Sequence, residues 1–297
     1  MKRAVPTAQF AWHVEVEIVP MPVQPARTTS DMPRGVARRD VGTSRAERLG
    51  LGVVALLIGF LAACSADTGG SADTVVLACG VETDRAELRN METLNLRGCG
   101  DIDFRPLWEA ENLHTLRIFD PALEDIRMIA PLRSLEDIRF EKSRVVDLTP
   151  IGPIDGLRVL HVVDTPLASI EPLARLESLE KLDISDSYVT DLLPLSGHPA
   201  LHTLRAPRAR ISDLSVLSTL PALTTVDLSE NGISDLSPLL DHPNIAALTL
   251  NLRGNCIVVD DPSVEVLVET LNQSAAGLYL GTQVPPEECE SEYFGDD

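Results

Sequence analysis

Apolar residues recur at a fixed interval of 22 positions through the middle of the chain. The first series has eight members with no insertion between them: Met91, Leu113, Leu135, Leu157, Leu179, Leu201, Leu223 and Ile245. A second apolar residue follows three positions after each, and a third two positions later, as in Leu157, Leu160 and Val162. This short alternation predicts a strand with one buried face. The repetition predicts a solenoid in which successive strands stack into a parallel sheet.

The second half of each unit predicts a short helical turn. Its thirteenth position holds Asp or Ser, for example Asp125, Ser169 and Asp235, and an apolar residue follows. A side-chain oxygen there can accept hydrogen bonds from the free amides that open a turn. Proline at the sixteenth position, as in Pro172 and Pro238, fits the first turn because no amide hydrogen is needed there.

The 22-residue unit resembles the leucine-rich repeat, specifically the bacterial internalin-like type, over residues 91–257. The resemblance implies an α/β-type solenoid with a concave parallel sheet of about eight short strands, 3₁₀ or α turns on the convex side, and a cap at each end. The family often stacks asparagines at the ninth position, where here only Asn231 fits. The pattern restarts two residues late at 248–256, which puts Asn255 in the asparagine place and predicts an irregular last coil.

A short apolar segment precedes the repeats. Residues 49–63 are uncharged and mostly apolar, follow two arginines, and lead into the sequence LAAC at 61–64. A basic flank, an apolar centre too short to span a bilayer comfortably, and small residues at the end are typical of an export signal. The last four residues resemble the lipobox of bacterial lipoproteins, which implies cleavage before Cys64 and lipid attachment to it. The alternative is an ordinary cleaved signal or an inner-membrane anchor, with Cys64 beside it by chance.

The segments around this signal complete the N-terminal region. Residues 1–48 form a leader rich in Pro and Arg, for which we predict no structure, and a true start at Met32 would leave a signal of ordinary length. Residues 64–74 are small and polar, which predicts a flexible tether. Ser65, rather than Asp, follows the cysteine. By analogy with enterobacterial lipoproteins, this implies the outer membrane rather than the inner membrane.

Four further cysteines lie two at each end of the repeats: Cys79, Cys99, Cys256 and Cys289. In an exported protein this even set predicts two disulfides, and three pairings are possible. Cys79–Cys99 with Cys256–Cys289 is the local pairing, which would close an N-terminal cap at 75–90 and a C-terminal cap at 258–297. The second cap should contain a helix that begins near 261–263 and an acidic tail. A solenoid needs caps because an open end exposes its core and its strand edge.

Charge separates the leader from the rest of the chain. The protein holds 45 acidic and 25 basic residues, a formal net charge of −20. Residues 1–63 hold 8 basic and 5 acidic residues, which leaves 17 and 40 in residues 64–297, so the two parts carry +3 and −23. So acidic a body argues against nucleic-acid binding. The composition, 44% apolar but only 4% aromatic, predicts an aliphatic core.

No catalytic motif accompanies the repeats. The sequence contains no phosphate-binding glycine loop, no His/Cys cluster with metal-ligand spacing and no serine nucleophile elbow. His198 and His242 share the twentieth position of their units, each near a proline, which favours turn residues on the convex side. We therefore expect no enzyme, no metal and no cofactor.

The solvent face of the strands is the candidate binding surface. Its central row, the fifth position of each unit, places arginines and a histidine on an otherwise acidic body, and nearby positions add further cations and apolar side chains. The candidates are Arg117, Arg139, His161, Arg205, Lys181, Arg158, Phe119, Val159 and Val163. Arginine beside apolar residues is typical of binding hot spots. Interleaved Asp137, Asp183 and Asp227 favour the alternative of a merely solvated face.

The function expected from these features is non-enzymatic recruitment. A lipoprotein held in the bilayer by Cys64 would bind a protein or an acidic polymer at the bacterial envelope. The alternatives are a structural spacer without a specific ligand and a subunit or inhibitor of an enzyme. The family resemblance includes host-cell adhesins, but a fold alone does not carry that role.

Overall fold

The repeats form the predicted parallel sheet. The computed structural model describes residues 17–18, 74–76, 82–99, 104–285 and 288–289. Its strands are β1 (Glu17–Ile18), β2 (Thr74–Val76), β3 (Glu82–Asp84), β4 (Thr93–Arg97), β5 (Thr115–Phe119), β6 (Asp137–Glu141), β7 (Val159–Val163), β8 (Lys181–Asp183), β9 (Thr203–Arg205), β10 (Thr225–Asp227), β11 (Thr249–Asn251) and β12 (Gly277–Tyr279). Strands β4 to β12 lie side by side in chain order and pair in parallel. The predicted solenoid architecture is confirmed.

Two strands of this sheet lie outside the eight that the repeat predicts. β12 comes from the C-terminal cap and pairs with β11. β1 lies in the leader, for which the sequence predicts no structure, and it pairs antiparallel with β4, Ile18 beside Leu94. The alternation of Val14, Val16 and Ile18 with glutamates is the sequence signal for such a strand. The rest of the predicted leader, the signal segment and the tether up to residue 73 lie outside the described residues.

The three apolar series form one continuous core. In β7, Leu160 and Val162 are fully buried, and the strand pairing aligns Leu160 with Leu182 of β8. The core is aliphatic, as the composition predicts, and its buried aromatic residues in the described part of the chain are Phe104 and Phe140. Because successive residues of a strand point to opposite sides, the intervening residues form a solvent face.

Short 3₁₀ turns connect most of the strands, as predicted, whereas the chain between β6 and β7 has non-helical turns, as at residues 149–153. The 3₁₀ turns span Arg105–Glu109, Arg127–Ile129, Glu171–Arg175, Leu193–Leu195, Ser215–Thr219, Ser237–Asp241 and Ile245–Ala247. Aspartate at the thirteenth position accepts a hydrogen bond from the amide two residues on: Oδ1 of Asp191 lies 2.7 Å from N of Leu193, and Oδ1 of Asp235 lies 2.8 Å from N of Ser237. These Asx turns confirm the predicted acceptor role. The backbone and side-chain hydrogen bonds from Ser237 hold the pKa of Asp235 below its usual value.

Asn231 links the backbones of neighbouring C-terminal coils. Its side chain is fully buried. Nδ2 donates to the carbonyl oxygens of Ala206 at 2.8 Å, Leu228 at 3.1 Å and Ser229 at 3.1 Å, and Oδ1 accepts from N of Ile211 at 3.1 Å. One side chain thus bonds four backbone groups. Two of these, the Ser229 and Leu228 carbonyl oxygens, also accept from N of Arg208 and Nδ2 of Asn255.

Asn255 repeats this arrangement one coil later. It is fully buried, and its Oδ1 accepts from N of Ile233 at 3.1 Å. This confirms that the last coil restarts two residues late with Asn255 in the asparagine place. In other units the ninth position holds Ser143 and Thr165, whose buried hydroxyls make no hydrogen bond to a described residue. The asparagine series is therefore confined, within the described coils, to the C-terminal end.

The N-terminal cap contains a helix and a hairpin. Helix α1 (Arg85–Arg89) begins after Asp84, whose Oδ1 accepts from N of Ala86 at 2.6 Å. The helix buries Leu88 against the first coil. Strands β2 and β3 pair antiparallel just before it.

The C-terminal cap contains the predicted helix. Helix α2 (Pro262–Ser274) begins after Asp261, whose Oδ1 accepts from N of Ser263 at 2.8 Å. It buries Leu271 and packs three more apolar side chains partly against the core. Val266 is 65% exposed, because it lies on the opposite face of the helix.

A disulfide ties the C-terminal cap to the coils. Cys256 and Cys289 form a disulfide, with their Cα atoms 5.9 Å apart, which fastens the C-terminal cap to the last coil. Cys99 is also disulfide-bonded. Cys79, its expected partner, lies outside the described residues.

The side chains of His198 and His242 are buried on the side of their turns that faces the core. Each is 3% exposed, in a repeat position that holds the buried Leu176 and Leu220 in other units. Both end a turn, as the sequence indicates, but neither is a surface residue. Burial lowers the pKa of both imidazoles, because the charged form would lose its hydration.

This burial predicts a pH-dependent stability. The unfolded-state pKa of histidine is about 6.5, and the folded-state pKa of His198 lies below it. The stability contributed by the neutral ring is therefore complete above about pH 6.5 and is lost as the pH falls toward the lower value. We expect His198→Leu to raise the urea midpoint at pH 5 more than at pH 7.5. His114→Gln, at an exposed position, is the control, and an equal shift at both pH values would contradict the prediction.

Candidate functional site

The strand pairing brings the predicted central row together. Arg117 of β5 lies beside Arg139 of β6, which lies beside His161 of β7, and the row continues through Asp183 to Arg205 of β9. Two parallel rows flank it. One contains Val159 and Lys181, and the other contains Phe119 and Val163. We call these three rows, over β4 to β11, the strand face.

Arg158 is the exception among the candidates. It lies before β7 rather than within it. Its Nη2 is 2.6 Å from Oε1 of Glu180, which holds the corresponding position before β8. The two charges largely neutralise each other at the margin of the strand face.

Asp137 is the counter-ion of two arginines. Its Oδ1 and Oδ2 each accept a hydrogen bond of 3.0 Å from the Arg139 guanidinium. This bidentate hydrogen bond raises the pKa of Arg139. Arg117 makes only one longer contact, 3.4 Å from its Nη2 to Oδ2 of Asp137. Arg139 is therefore held in place by its partner, whereas Arg117 keeps most of its donors for solvent or a ligand.

Asp183 is the carboxylate nearest to Arg205 and His161 in the row. Its Oδ1 accepts hydrogen bonds from N of Ser185, at 3.1 Å, and from the Ser185 hydroxyl. Its Oδ2 lies 3.7 Å from Nε of Arg205 and 4.0 Å from Nδ1 of His161. The carboxylate is thus fixed mainly by its own strand end, and its contact with the arginine is loose.

The carboxylates lie lower than the cations that they accompany. The side chains of Asp137 and Asp183 are 19% and 12% exposed, whereas those of Arg117 and Arg205 are 45% and 54% exposed. Lys181 is exposed and makes no ion pair with a described residue. The solvent-exposed atoms of the strand face therefore carry more positive charge than the numbers of its acidic and basic residues indicate.

His161 occupies the middle of the row in its neutral form. Burial lowers its pKa first, and the Arg139 charge lowers it further, against the opposing effect of Asp183 and other carboxylates. Its neighbours on β7, Val159 and Val163, are partly exposed and apolar. All three outward positions of β7 therefore carry no charge at neutral pH.

Two cations near Phe119 were not among the candidates. The guanidinium carbon of Arg97 and the Nζ of Lys142 each lie 5.7 Å from the centre of its ring, a distance at which cation–π attraction operates. Arg97 stands directly beside Phe119 in the strand pairing. Its position at the end of β4 was a sufficient sequence signal. Lys142 follows β6, outside the strand rows, and only the folded turn places it there.

The described residues offer no alternative site of recognisable chemistry. They contain no group of three or more His, Cys, Asp or Glu side chains arranged to hold a metal. Two shallow depressions lie on the turn side of the coils, one around Arg127 and the other around Leu240. No helix in the described ranges is long and apolar enough to cross a membrane.

A parallel strand in each 22-residue coil, a 3₁₀ turn and buried asparagines define a leucine-rich repeat solenoid. Solved structures agree. An internalin of Listeria monocytogenes, inlF, superposes with a TM-score of 0.56 at 21% identity, over 73% of this chain and 68% of that one. Internalin C2 of the same bacterium gives 0.51 at 26% identity, over 62% of this chain and 100% of that one.

A leucine-rich repeat protein of Leptospira interrogans has the same architecture. It superposes with a TM-score of 0.56 at 17% identity, over 68% of this chain and 51% of that one. No protein-family model matches the sequence, and no curated protein sequence matches it. These likenesses establish the internalin-like fold, and the function has to be argued from the strand face.

Proposed function

We propose that this protein is a non-enzymatic, lipid-anchored binding module that holds a protein partner at the bacterial envelope through its strand face. The observation that carries the proposal is the charge of that face. Its three rows hold six basic residues against four acidic ones, on a chain whose formal net charge is −20. A local reversal of sign with apolar side chains at its centre is typical of a protein-binding surface.

Export is supported by the disulfides. The Cys256–Cys289 bond and the bonded Cys99 fit an oxidising compartment, since disulfides rarely persist in the bacterial cytosol. The segment 49–64 supplies the matching signal, and its lipobox provides Cys64 for attachment to the bilayer, with the outer membrane as the expected site.

A structural spacer is the second candidate. It is favoured by the ion pairs Arg139–Asp137 and Arg158–Glu180, in which two of the candidate cations already have partners. A face whose charges are satisfied internally needs no ligand. The binding function therefore depends on the cations that are not so satisfied, Arg117, Lys181 and Arg205.

Crosslinking in intact cells tests the two candidates. A photoreactive residue at Thr203, on the strand face, should give one dominant protein adduct, whereas the same residue at Ser218, on a 3₁₀ turn, should not. Lys181→Glu with Arg205→Glu should abolish the adduct. Arg133→Glu with Arg175→Glu, the same change of charge at exposed positions in or next to turns, should leave it intact.

Thermal unfolding of both double variants accompanies the experiment. The melting temperature of the strand-face variant should match that of the turn variant, so that loss of the adduct reports on the surface. A diffuse ladder of adducts, or an adduct that survives the strand-face change, would establish the spacer instead.

A further inference from the structure

The strand face has an apolar centre between two basic margins. Strand β7 supplies the centre with Val159, neutral His161 and Val163. Arg117 lies on β5 and Arg205 on β9, two strands away on either side. Neighbouring strands are about 4.8 Å apart, so each margin lies about 10 Å from the centre.

The row positions on β6 and β8, between the centre and the margins, offer a ligand less positive charge than the margins do. On β6, Arg139 is 31% exposed and both of its hydrogen bonds to Asp137 are short. On β8, the row position is Asp183, which is buried and hydrogen-bonded to Ser185. Strong cationic contacts in this row are therefore available only at Arg117 and Arg205, about 19 Å apart over four strand spacings.

An extended polypeptide matches this spacing. In the extended polyproline II conformation three residues span about 9 Å, and every third side chain returns to the same side of the chain. A segment that crosses the strands at right angles would place residues three before and three after a central residue above β5 and β9.

We propose that the partner presents an acidic segment in the extended polyproline II conformation to this face, with an apolar side chain over β7 and carboxylates three residues before and three residues after it, one at Arg117 and the other at Arg205. This inference rests on the proposed function, since it names the partner of the same surface. The rest of the acidic chain repels such a segment, which confines it to the strand face.

The apolar requirement follows from desolvation. A carboxylate placed over Val159 and Val163 would lose hydration, and the exposed cation nearest to it, Lys181, lies one strand away. A leucine there buries apolar surface on both partners and leaves the flanking carboxylates free to reach the exposed guanidinium groups. Lys181, beside Val159 in the flanking row, adds attraction without fixing the spacing.

Fluorescence anisotropy of labelled peptides with the full chain tests the proposal. The probe is a nine-residue peptide with a central leucine, glutamates three residues away on both sides, and neutral polar residues elsewhere. Moving both glutamates to the positions next to the leucine keeps composition and charge. We expect this isomer to bind about tenfold more weakly, because the carboxylates then lie over β7 rather than at the margins.

Variants of the protein complete the test. Arg117→Ala and Arg205→Ala should each weaken binding of the probe several-fold and should reduce the difference between the two peptides. Arg175→Ala, an exposed arginine on a 3₁₀ turn, is the matched control and should change neither.

Three results would overturn the inference. Equal binding of the two peptides, or equal competition by polyglutamate of any spacing, would mean that the face recognises negative charge alone. A third result is no saturable binding at millimolar peptide, while the cells still show the dominant strand-face adduct and the Lys181→Glu and Arg205→Glu variant still loses it. This would reject the acidic motif but leave the binding function standing. If neither peptide binding nor a dominant strand-face adduct were found, the proposed function would be rejected as well.

Discussion

Replacing Asn231 by alanine should lower the free energy of unfolding by about 3 kcal/mol or more, because each buried polar group left without a partner costs about 1–3 kcal/mol. The change removes the acceptor for N of Ile211 and the donors to three carbonyl oxygens, in a site with no exposure to solvent. Urea unfolding followed by circular dichroism measures the loss. We expect the coils on both sides of Asn231 to be affected, since its bonds span two of them.

Two variants separate hydrogen bonding from loss of volume. Asn231→Asp preserves the shape but replaces the NH2 donor with a carboxylate oxygen, which faces the carbonyl oxygens and can only accept, so it should cost at least as much as alanine. Ser143→Ala, at the same repeat position, removes a buried hydroxyl that makes no hydrogen bond to a described residue and should be nearly neutral. If Ser143→Ala were as destabilising as Asn231→Ala, packing rather than hydrogen bonding would explain the position.

The second large effect concerns the anchor. Cys64→Ser should abolish incorporation of radiolabelled palmitate in cells and shift the protein from the membrane to the soluble fraction. Each buried methylene of an acyl chain contributes about 0.8 kcal/mol to membrane affinity, so loss of the chains removes the attachment altogether. Ser65→Ala, the adjacent residue, should keep both the label and the membrane location.

The alternatives for this segment give different results. A chain that loses the label but stays in the membrane would retain residues 49–63 as an inner-membrane anchor. A chain that never takes up label and is released by the wild-type cell would have an ordinary cleaved signal. Mass spectrometry of the mature N-terminus distinguishes both from a lipoprotein that begins at Cys64.

The periodic part of the fold was predictable because its cause is local and repeated. Each inward residue, such as Leu160, contacts its equivalents in the two neighbouring coils, so the interval in the sequence becomes the register of the sheet. The late restart before Asn255 was visible for the same reason. By contrast, β12 is three residues long and lies outside the 22-residue apolar series, so the sequence Gly277–Tyr279 does not predict a ninth parallel strand.

The sequence predicted which residues of the strand face are neighbours, but not which ion pairs they form. The fifth-position row identified Arg117, Arg139, His161 and Arg205 as neighbours. Whether Asp137 would bind Arg117 or Arg139 depends on side-chain rotamers, and the sequence carries no signal for that choice. The burial of His198 and His242 was missed because histidine was interpreted by type, although the same repeat position is apolar in the other units.

The junction between β10 and β11 shows which side of a coil tolerates changes in length. Thr225 pairs with Thr249, 24 residues on, whereas Thr203 pairs with Thr225, 22 residues on. The two added residues are accommodated where the chain forms an additional 3₁₀ turn, Ile245–Ala247, and the strands stay in register.

Insertions on the turn side therefore leave the strand side unchanged, whereas gain or loss of a whole unit alters it in steps of one strand, about 4.8 Å. Deleting a single unit between β5 and β9 would bring Arg117 and Arg205 closer by that step while every remaining side chain kept its local neighbours. The number of repeats thus sets the spacing of the cations on the strand face. Unequal recombination between repeats would change that spacing without the need for any point mutation.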